Sequence, residues 1–184
     1  MIHKAICFAT EAHRGQVRKV SGSPFIFHPL AVGILLSDAG EDEATVIAGI
    51  LHDTVEDTKV TLREIEEEFG AEVAKIVDGC SENKALPWEA RKQETIDALH
   101  TASEKVCIVT CADKVHNVKT SIAGIKEKGK NYFANFNRGY DQQKWYYRSI
   151  RDVLAKRIPD HSLFKKYCQV YDKAFGKWRT IEQN

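Results

Sequence analysis

Apolar residues recur every three or four positions along most of the chain, which is the period of a helix with one buried face. The first such stretch covers 28–37 and ends at Asp38-Ala39-Gly40, and the second covers 44–51. A third follows Thr61, a residue type suited to an N-cap, and Gly70 interrupts it, so we expect two short helices there. Beyond Pro159 the helical spacing is carried by Leu163, Tyr167, Val170, Tyr171, Ala174 and Trp178. The pattern predicts an all-α fold.

Two segments need separate interpretation. Val106–Thr110 has the composition of a buried strand, but apolar positions continue from it at helical spacing as far as Ile122, which favours a helix. Residues Gly79–Ala90 lose the periodicity and contain Pro87, so they are predicted to form a mobile loop. We expect the whole chain, 1–184, to form a single-domain helical bundle. Its C-terminal helices are expected over about 132–178, and the helical spacing of apolar residues is visible there from Tyr146 onward.

The charge of the chain is balanced. Lys and Arg total 27 against 26 Asp and Glu, which gives a formal net charge of +1 among 184 residues. No global field therefore attracts nucleic acid or an anionic membrane, and any anionic ligand must be bound by a local cluster. The basic run Lys126, Lys128 and Lys130 is interpreted as a solvated helix end. Trp145–Tyr147 is interpreted as core rather than as a base-stacking face.

The sequence also predicts the compartment. No apolar run approaches the ~18 residues of a membrane helix, and the N-terminus lacks the apolar region of a signal peptide. The five cysteines are scattered without a CxxC pair, which favours neither a disulfide framework nor a zinc-thiolate site. We therefore expect a cytoplasmic protein whose cysteines are reduced and mostly buried.

The densest polar cluster in an apolar context is His52-Asp53-Thr54-Val55-Glu56-Asp57, which directly follows the stretch 44–51. On a continuing helix, residues four apart share a face, so His52 would lie beside Glu56 and Asp53 beside Asp57. Carboxylates crowded near a core repel one another unless a cation is present. The cluster therefore suggests a metal site, although a helix end with a solvated Asp57 would give the same string.

Two further residues with ligand chemistry strengthen the metal interpretation. His28 precedes Pro29 at the start of a predicted helix, and Asp113 emerges from an apolar stretch. Two imidazoles with two carboxylates suit a divalent ion, and the oxygen donors favour manganese, iron or magnesium over a structural zinc site. The ordinary alternatives are a helix-start histidine without a ligand role and an ion pair on the helix surface between Asp113 and Lys114 or Lys119.

Four motifs stand in a fixed order along the chain: Ala12-His13-Arg14-Gly15-Gln16-Val17-Arg18-Lys19, His28-Pro29, His52-Asp53 with Glu56-Asp57, and Ala112-Asp113-Lys114 with Asn117. Together they resemble the hydrolase domain of the RelA/SpoT family, a branch of the HD phosphohydrolase superfamily. The resemblance covers about residues 2–125. It implies a helical bundle, a manganese cofactor, and removal of pyrophosphate from the 3′ position of guanosine tetra- or pentaphosphate. The chain is too short for a synthetase domain beside it, so a stand-alone hydrolase is expected.

The resemblance also implies roles for individual residues. The metal ligands correspond to His28, His52, Asp53 and Asp113. The acidic pair that acts on the nucleophilic water corresponds to Glu56 and Asp57. The substrate-binding positions correspond to Arg18, Lys19, Asn117 and Thr120. Charge near the loop or the first C-terminal helix adds four candidates for phosphate binding: Arg91, Lys92, Lys144 and Arg148.

Some positions depart from the family pattern. The basic stretch Arg18–Pro24 is one residue longer than usual, Lys114 stands where arginine is common, and Ser81-Glu82-Asn83-Lys84 replaces a Thr-Lys string. These departures concern the nucleotide pocket, so a metal-dependent nucleotidase or phosphatase acting on another nucleotide stays open. A non-catalytic nucleotide-sensing module is the other alternative, and the intact acidic pair argues against it. The expected partner is a small nucleotide, without nucleic acid or membrane, and a homo-oligomer is left open.

Overall fold

The structure of this chain, a computed structural model, describes residues 1–176, so the predicted helical position Trp178 lies outside the described residues. The helices are α1 Ile2–Ala12, α2 Phe27–Asp38, α3 Glu43–Leu51, α4 Thr54–Asp57, α5 Leu62–Phe69, α6 Ala71–Cys80, α7 Trp88–Leu99, α8 Glu104–Lys128, a 3-10 helix Gly129–Asn135, α9 Tyr140–Arg157 and α10 Ser162–Phe175. Within 1–176 the only β pairing is an isolated bridge between Val17 and Pro24. The predicted all-α class is confirmed.

Helix α8 forms the centre of the molecule. It packs against α2, α3, α6, α9 and α10, so its middle section is covered on all sides. Cys107, Val109, Cys111 and Ala112 are fully buried there, together with the polar Asp113. This environment explains why the strand-like composition of Val106–Thr110 is helical: the β-branched residues fill the core around a central helix. The predicted helix is confirmed.

Helices α2 and α3 approach each other closely at two glycines. A Cβ atom on Gly33 would lie 2.5 Å from Ile50 Cγ1, and one on Gly49 would lie 2.1 Å from Leu36 Cδ1. Both distances are far below van der Waals contact, so a larger residue at either position would require the Ile50 or Leu36 side chain to shift. The same two helices carry His28 and lead into His52.

The predicted pair of short helices around Gly70 is confirmed. Thr61 caps α5 through a capping box, in which its hydroxyl accepts from the Glu64 main chain and the Glu64 carboxylate accepts from the Thr61 main chain. Gly70 has φ of 92°, which favours glycine, and it separates α5 from α6.

Other predictions need correction. The segment predicted as a loop over Gly79–Ala90 is shorter, because α6 continues to Cys80 and α7 begins at Trp88. Helices α1 and α7 have no counterpart among the elements predicted from the apolar pattern.

The cysteines are free, but only Cys107 and Cys111 are buried, so the expectation of mostly buried thiols is wrong. None of the described helices has both the length and the apolar character needed to cross a bilayer.

Removing the Asp42 side chain is expected to destabilise the fold, because Asp42 caps α3. Its Oδ1 accepts from the Thr45 main chain at 2.8 Å, and its Oδ2 lies 2.6 Å from Lys105 Nζ. Asp42→Ala should lower the free energy of unfolding by about 1 kcal/mol at pH 7, the usual effect of losing an N-cap. Chemical denaturation measures this difference.

The effect of Asp42 should depend on pH. The hydrogen bonds from Lys105 and Thr45 lower the pKa of this carboxyl to about 2 from 3.8. Its stabilising contribution is therefore complete above the unfolded pKa of about 3.9 and falls as the pH decreases towards the folded value. Asp160→Ala, at an exposed residue, is the control. An equal loss of stability in both variants would contradict the capping role.

Candidate metal centre and adjoining pocket

The residues predicted as metal ligands come together around one cavity of about 210 Å³. His28 lies in the first turn of α2, His52 and Asp53 lie between α3 and α4, and Asp113 lies in the middle of α8. His28 Nε2 is 3.1 Å from Asp113 Oδ1 and 3.5 Å from Asp53 Oδ2. His52 Nε2 is 3.3 Å from Asp53 Oδ1 and 3.9 Å from Asp113 Oδ1. Nitrogen and oxygen donors from three parts of the chain thus converge on one point.

The chain does not continue as one helix through this region, so that expectation is wrong. Helix α3 ends at Leu51 and α4 begins at Thr54, whose hydroxyl donates to the Leu51 carbonyl at 2.6 Å. Neighbouring residues on one helix point about 100° apart. The break between α3 and α4 allows the adjacent side chains of His52 and Asp53 to line the same cavity.

The orientation of His52 leaves one ring nitrogen available. Its Nδ1 donates to the Gly49 carbonyl at 2.8 Å, so in the neutral ring Nε2 carries the lone pair. Nε2 is buried and has no hydrogen-bond partner among the described residues. Two acceptor atoms, this nitrogen and Asp53 Oδ1, therefore face each other at 3.3 Å without a shared proton. Such an arrangement fits a divalent cation between them.

His28 also pairs with a histidine of α8, His116, beside the cluster. His28 Nδ1 lies 2.7 Å from His116 Nδ1, so only one of these nitrogens can carry the proton. Burial lowers the pKa of His28, although the hydrogen bond with Asp113 opposes this shift. Burial, followed by the nearby His28 and Arg18, lowers the pKa of His116 to about 4. Neutral imidazole is the form that binds metal, so the donor set fits a divalent ion.

The two acidic residues that follow the cluster have different surroundings. Glu56 and Asp57 both line the small cavity. Burial, followed by the Glu82 and Asp53 carboxylates, raises the pKa of Glu56 to about 7, and its Oε2 accepts from the main-chain nitrogen of Glu82 at 3.1 Å. Asp57 accepts from Lys84 Nζ, which lies 3.9 Å from Glu56 Oε1. Asp57 is thus neutralised by a lysine, whereas Glu56 is held by a backbone contact.

A larger cavity of about 960 Å³ adjoins the small one. Residues that line both cavities include Arg18, His28, Asp57, Lys92, Lys114 and Asn117. Arg18 donates to Asn117 Oδ1 at 2.9 Å, and Asn117 in turn donates to Asp113. Lys19 and Thr120 line only the larger cavity, with the aromatic residues Tyr132, Phe136, Tyr146 and Tyr147. The four residues predicted to bind substrate all lie at this cavity.

Of the four basic residues added by charge alone, only Lys92 lines the cavities. Arg91 lies 2.9 Å from Glu82, Lys144 is near the Tyr140 ring, and Arg148 is near Asp152. Asp113 does pair with Lys114, as the ordinary alternative to a ligand role had it, but the pair is mostly buried and not on the surface, with 2.6 Å between Lys114 Nζ and Asp113 Oδ2.

Sequence reasoning missed three residues at the site: Lys114 as a pocket cation, Glu82 and His116. The apolar stretch around Lys114 was the available signal for a buried charge. Neither Glu82 nor His116 carried such a signal, because each meets its partners only across the fold: His116 contacts His28 of α2, and Glu82 contacts residues of α7 and α9.

Three comparisons place the chain among known proteins. A family model described as "HD domain" matches residues 5–138. A GTP pyrophosphokinase of Streptomyces coelicolor is 43% identical over 123 residues, which cover 65% of this chain and 14% of that protein. The guanosine-3′,5′-bis(diphosphate) 3′-pyrophosphohydrolase MESH1 of Danio rerio is 40% identical over 119 residues, covering 63% of this chain and 66% of the relative. The chain thus spans only part of these curated relatives.

Two solved structures are similar in fold. The crystal structure of lmo0812 from Listeria monocytogenes EGD-e has a TM-score of 0.74 and 37% identity, and the match covers 82% of this chain and 99% of that one. A structure described as a metazoan ortholog of SpoT that hydrolyses ppGpp has a TM-score of 0.81 and 24% identity, with 96% of each chain covered. The second likeness concerns the fold alone. In both comparisons the match covers nearly the whole length of the solved chain.

Proposed function

Because the chain belongs to the HD domain family, we propose that it is a metal-dependent phosphohydrolase that releases pyrophosphate from the 3′ position of guanosine tetra- or pentaphosphate. The observation that carries this proposal is the buried, unpartnered Nε2 of His52 facing carboxylate oxygens, directly beside a cavity lined by cations. The name of the relative from Danio rerio, a guanosine-3′,5′-bis(diphosphate) 3′-pyrophosphohydrolase, supports the choice of substrate.

The proposed ligands of one divalent ion are His28, His52, Asp53 and Asp113, a set of imidazole and carboxylate donors that fits several divalent ions. Among these ions we propose Mn²⁺, which the resemblance to the RelA/SpoT hydrolase domain implies. When bound, the ion supplies a Lewis acid that lowers the pKa of water and stabilises negative charge on phosphate oxygens. The protein contributes the orientation of these donors. The Gly49 carbonyl fixes the His52 ring, and Lys114 and Asn117 hold the Asp113 carboxylate.

In this proposal Glu56 accepts a proton from the attacking water. The backbone nitrogen of Glu82 fixes one carboxylate oxygen, and the carboxylate lines the same cavity as the metal ligands. Asp57 has a positioning role, because Gln16 donates to its main-chain carbonyl at 2.8 Å and Lys84 pairs with its side chain. The acidic pair is thereby tied to the loop that carries Arg18.

The larger cavity is proposed to bind the nucleotide. Arg18, Lys92 and Lys114 provide positive charge for its phosphates at the end next to the proposed metal ligands, and Lys19 adds positive charge elsewhere in the larger cavity. Phe136 and Tyr147, the partly exposed members of the aromatic wall, are proposed to provide faces on which a base can stack. Asn117 and Thr120 are proposed to contact the nucleoside, with Asn117 already oriented by Arg18.

The test is an assay of the manganese-loaded protein with guanosine tetraphosphate. We expect GDP and pyrophosphate as the products, identified by ion-exchange chromatography and a pyrophosphate-specific assay. Release of orthophosphate, or comparable activity on other nucleotides, would instead indicate a general nucleotidase and contradict the proposal. Removal of divalent ions with a chelator should abolish the activity, and added Mn²⁺ should restore it.

Arg18→Ala is expected to raise KM by about ten- to hundredfold, the scale of losing a charged hydrogen bond. The guanidinium acts on the bound substrate and on the transition state alike, so kcat should change much less than KM. Steady-state kinetics measures both constants. Arg63→Ala removes an exposed arginine of α5 and is the matched control. A fall in kcat with unchanged KM would contradict a ground-state contact of Arg18 with phosphate.

A further inference from the structure

Glu82 has more polar contacts than any other residue near the two cavities, yet the proposed function gives its side chain no role. The side chain is only 7% exposed. Its carboxylate lies 2.6 Å and 2.7 Å from Lys92 Nζ and 2.9 Å from Arg91 Nε. Thr95 and Tyr146 donate to it at 3.3 Å and 3.4 Å. A buried carboxylate with this many donors is a fixed point in the wall of the site.

The cation held by Glu82 lies at the boundary between the two cavities. Lys92 lines both of them, and its Nζ is 4.7 Å from the centre of the Tyr146 ring. On the same ring, Lys114 Nζ lies 5.3 Å from the centre, and Lys114 pairs with Asp113. Carboxylates and lysines therefore alternate around Tyr146, from Glu82 to the proposed metal ligand Asp113.

We propose that Glu82 is a positioning residue whose carboxylate fixes the Lys92 ammonium where it contacts a phosphate group of the substrate. This inference rests on the proposed function for the identity of that substrate. In this proposal, the main chain and the side chain of Glu82 have different roles. The main-chain nitrogen of Glu82 holds Glu56, whereas the side chain of Glu82 holds Lys92.

The charge balance of the site supports the same assignment. Burial, followed by the nearby Lys114, lowers the pKa of Lys92, and Glu82 opposes this shift. Without the carboxylate, a lysine that is 16% exposed would lose its fixed position, and its pKa would be lowered further. Both changes disfavour the binding of a phosphate group by a charged Lys92.

The experiment is a double-mutant cycle with Glu82→Gln and Lys92→Met, read out as the affinity for inorganic pyrophosphate. Titration calorimetry at a fixed Mn²⁺ concentration measures this affinity, which does not require turnover. Glu82→Gln should weaken binding roughly tenfold when Lys92 is present and leave it unchanged in the Lys92→Met background. Glu94→Gln, at an exposed position of the same helix as Lys92, should have no effect.

Kinetics with guanosine tetraphosphate adds a readout that a merely structural role would not produce. Glu82→Gln keeps the main-chain contact to Glu56 but removes one of the carboxylates that raise the pKa of Glu56 to about 7. At about pH 9, where Glu56 is ionised in both proteins, KM should therefore rise while kcat stays within about twofold. An equal loss of pyrophosphate affinity in both backgrounds, or no binding of pyrophosphate to the unmodified protein, would overturn the inference. Absence of turnover by the unmodified protein would overturn the proposed substrate instead, and the binding cycle would still decide the role of Glu82.

Discussion

His52→Ala is expected to abolish stable binding of a divalent ion and to reduce turnover by about three orders of magnitude or more. The substitution removes a proposed donor whose Nε2 is buried and has no hydrogen-bond partner within residues 1–176, and it leaves only three proposed ligands. A catalytic metal supplies several kcal/mol of transition-state stabilisation, which sets the size of the effect. Elemental analysis after dialysis against Mn²⁺ gives the metal content per chain, and the pyrophosphate assay gives the rate.

The control for this variant is His100→Ala, which removes an exposed imidazole at the end of α7. It should retain one ion per chain and full activity. Circular dichroism establishes that both variants keep their helices, since loss of the fold would also release the ion. Full metal content in a folded His52→Ala protein would show that the ion binds elsewhere and would contradict the ligand set.

Glu56→Gln is expected to retain the ion and lose turnover by about two to four orders of magnitude, the usual contribution of a general base. The amide has nearly the volume of the carboxylate and can still accept from the Glu82 main chain, but it cannot take a proton from water. Pre-steady-state and steady-state rates with guanosine tetraphosphate measure the loss in kcat.

Two measurements separate this effect from a general disturbance of the site. Metal content and pyrophosphate affinity should be those of the unmodified protein, because Glu56 is not among the proposed ligands. Glu66→Gln, at an exposed position of α5, should behave like the unmodified protein in every assay. Normal turnover of Glu56→Gln would exclude the proton-accepting role and turn attention to Asp57.

Much of the fold follows from short-range sequence signals. The glycine after α5, the capping residue Thr61 and the helical spacing of apolar residues are each readable within one or two turns. Helix α7 escaped prediction because its exposed face is strongly charged and only Trp88, Ile96 and Leu99 are buried. The period of so few apolar positions is weak, and packing of α7 against α9 decides its structure.

The grouping of the proposed ligands was predictable from their residue types and from the order of the motifs along the chain. His28, His52, Asp53 and Asp113 do lie around one cavity, as the motifs predicted. The local geometry was not predictable, because the chain leaves the helix between Leu51 and Thr54, where the Thr54 hydroxyl donates to the Leu51 carbonyl.

Nor could the partners of Glu82 be predicted from the sequence. The Lys92 and Tyr146 side chains belong to helices that meet it only after folding. Roles that depend on such contacts need the structure.

The close approach of α2 and α3 has a consequence for ion selectivity. Gly33 of α2 and Gly49 of α3 have no side chain, and a methyl group at either position would lie too close to the other helix. The proposed donors lie on the same pair of helices, His28 in α2 and His52 directly after α3. Divalent ions differ in their preferred ligand distances by a few tenths of an ångström. We therefore expect the small size of Gly33 and Gly49 to influence which divalent ion the proposed site accepts, although neither residue is a proposed ligand.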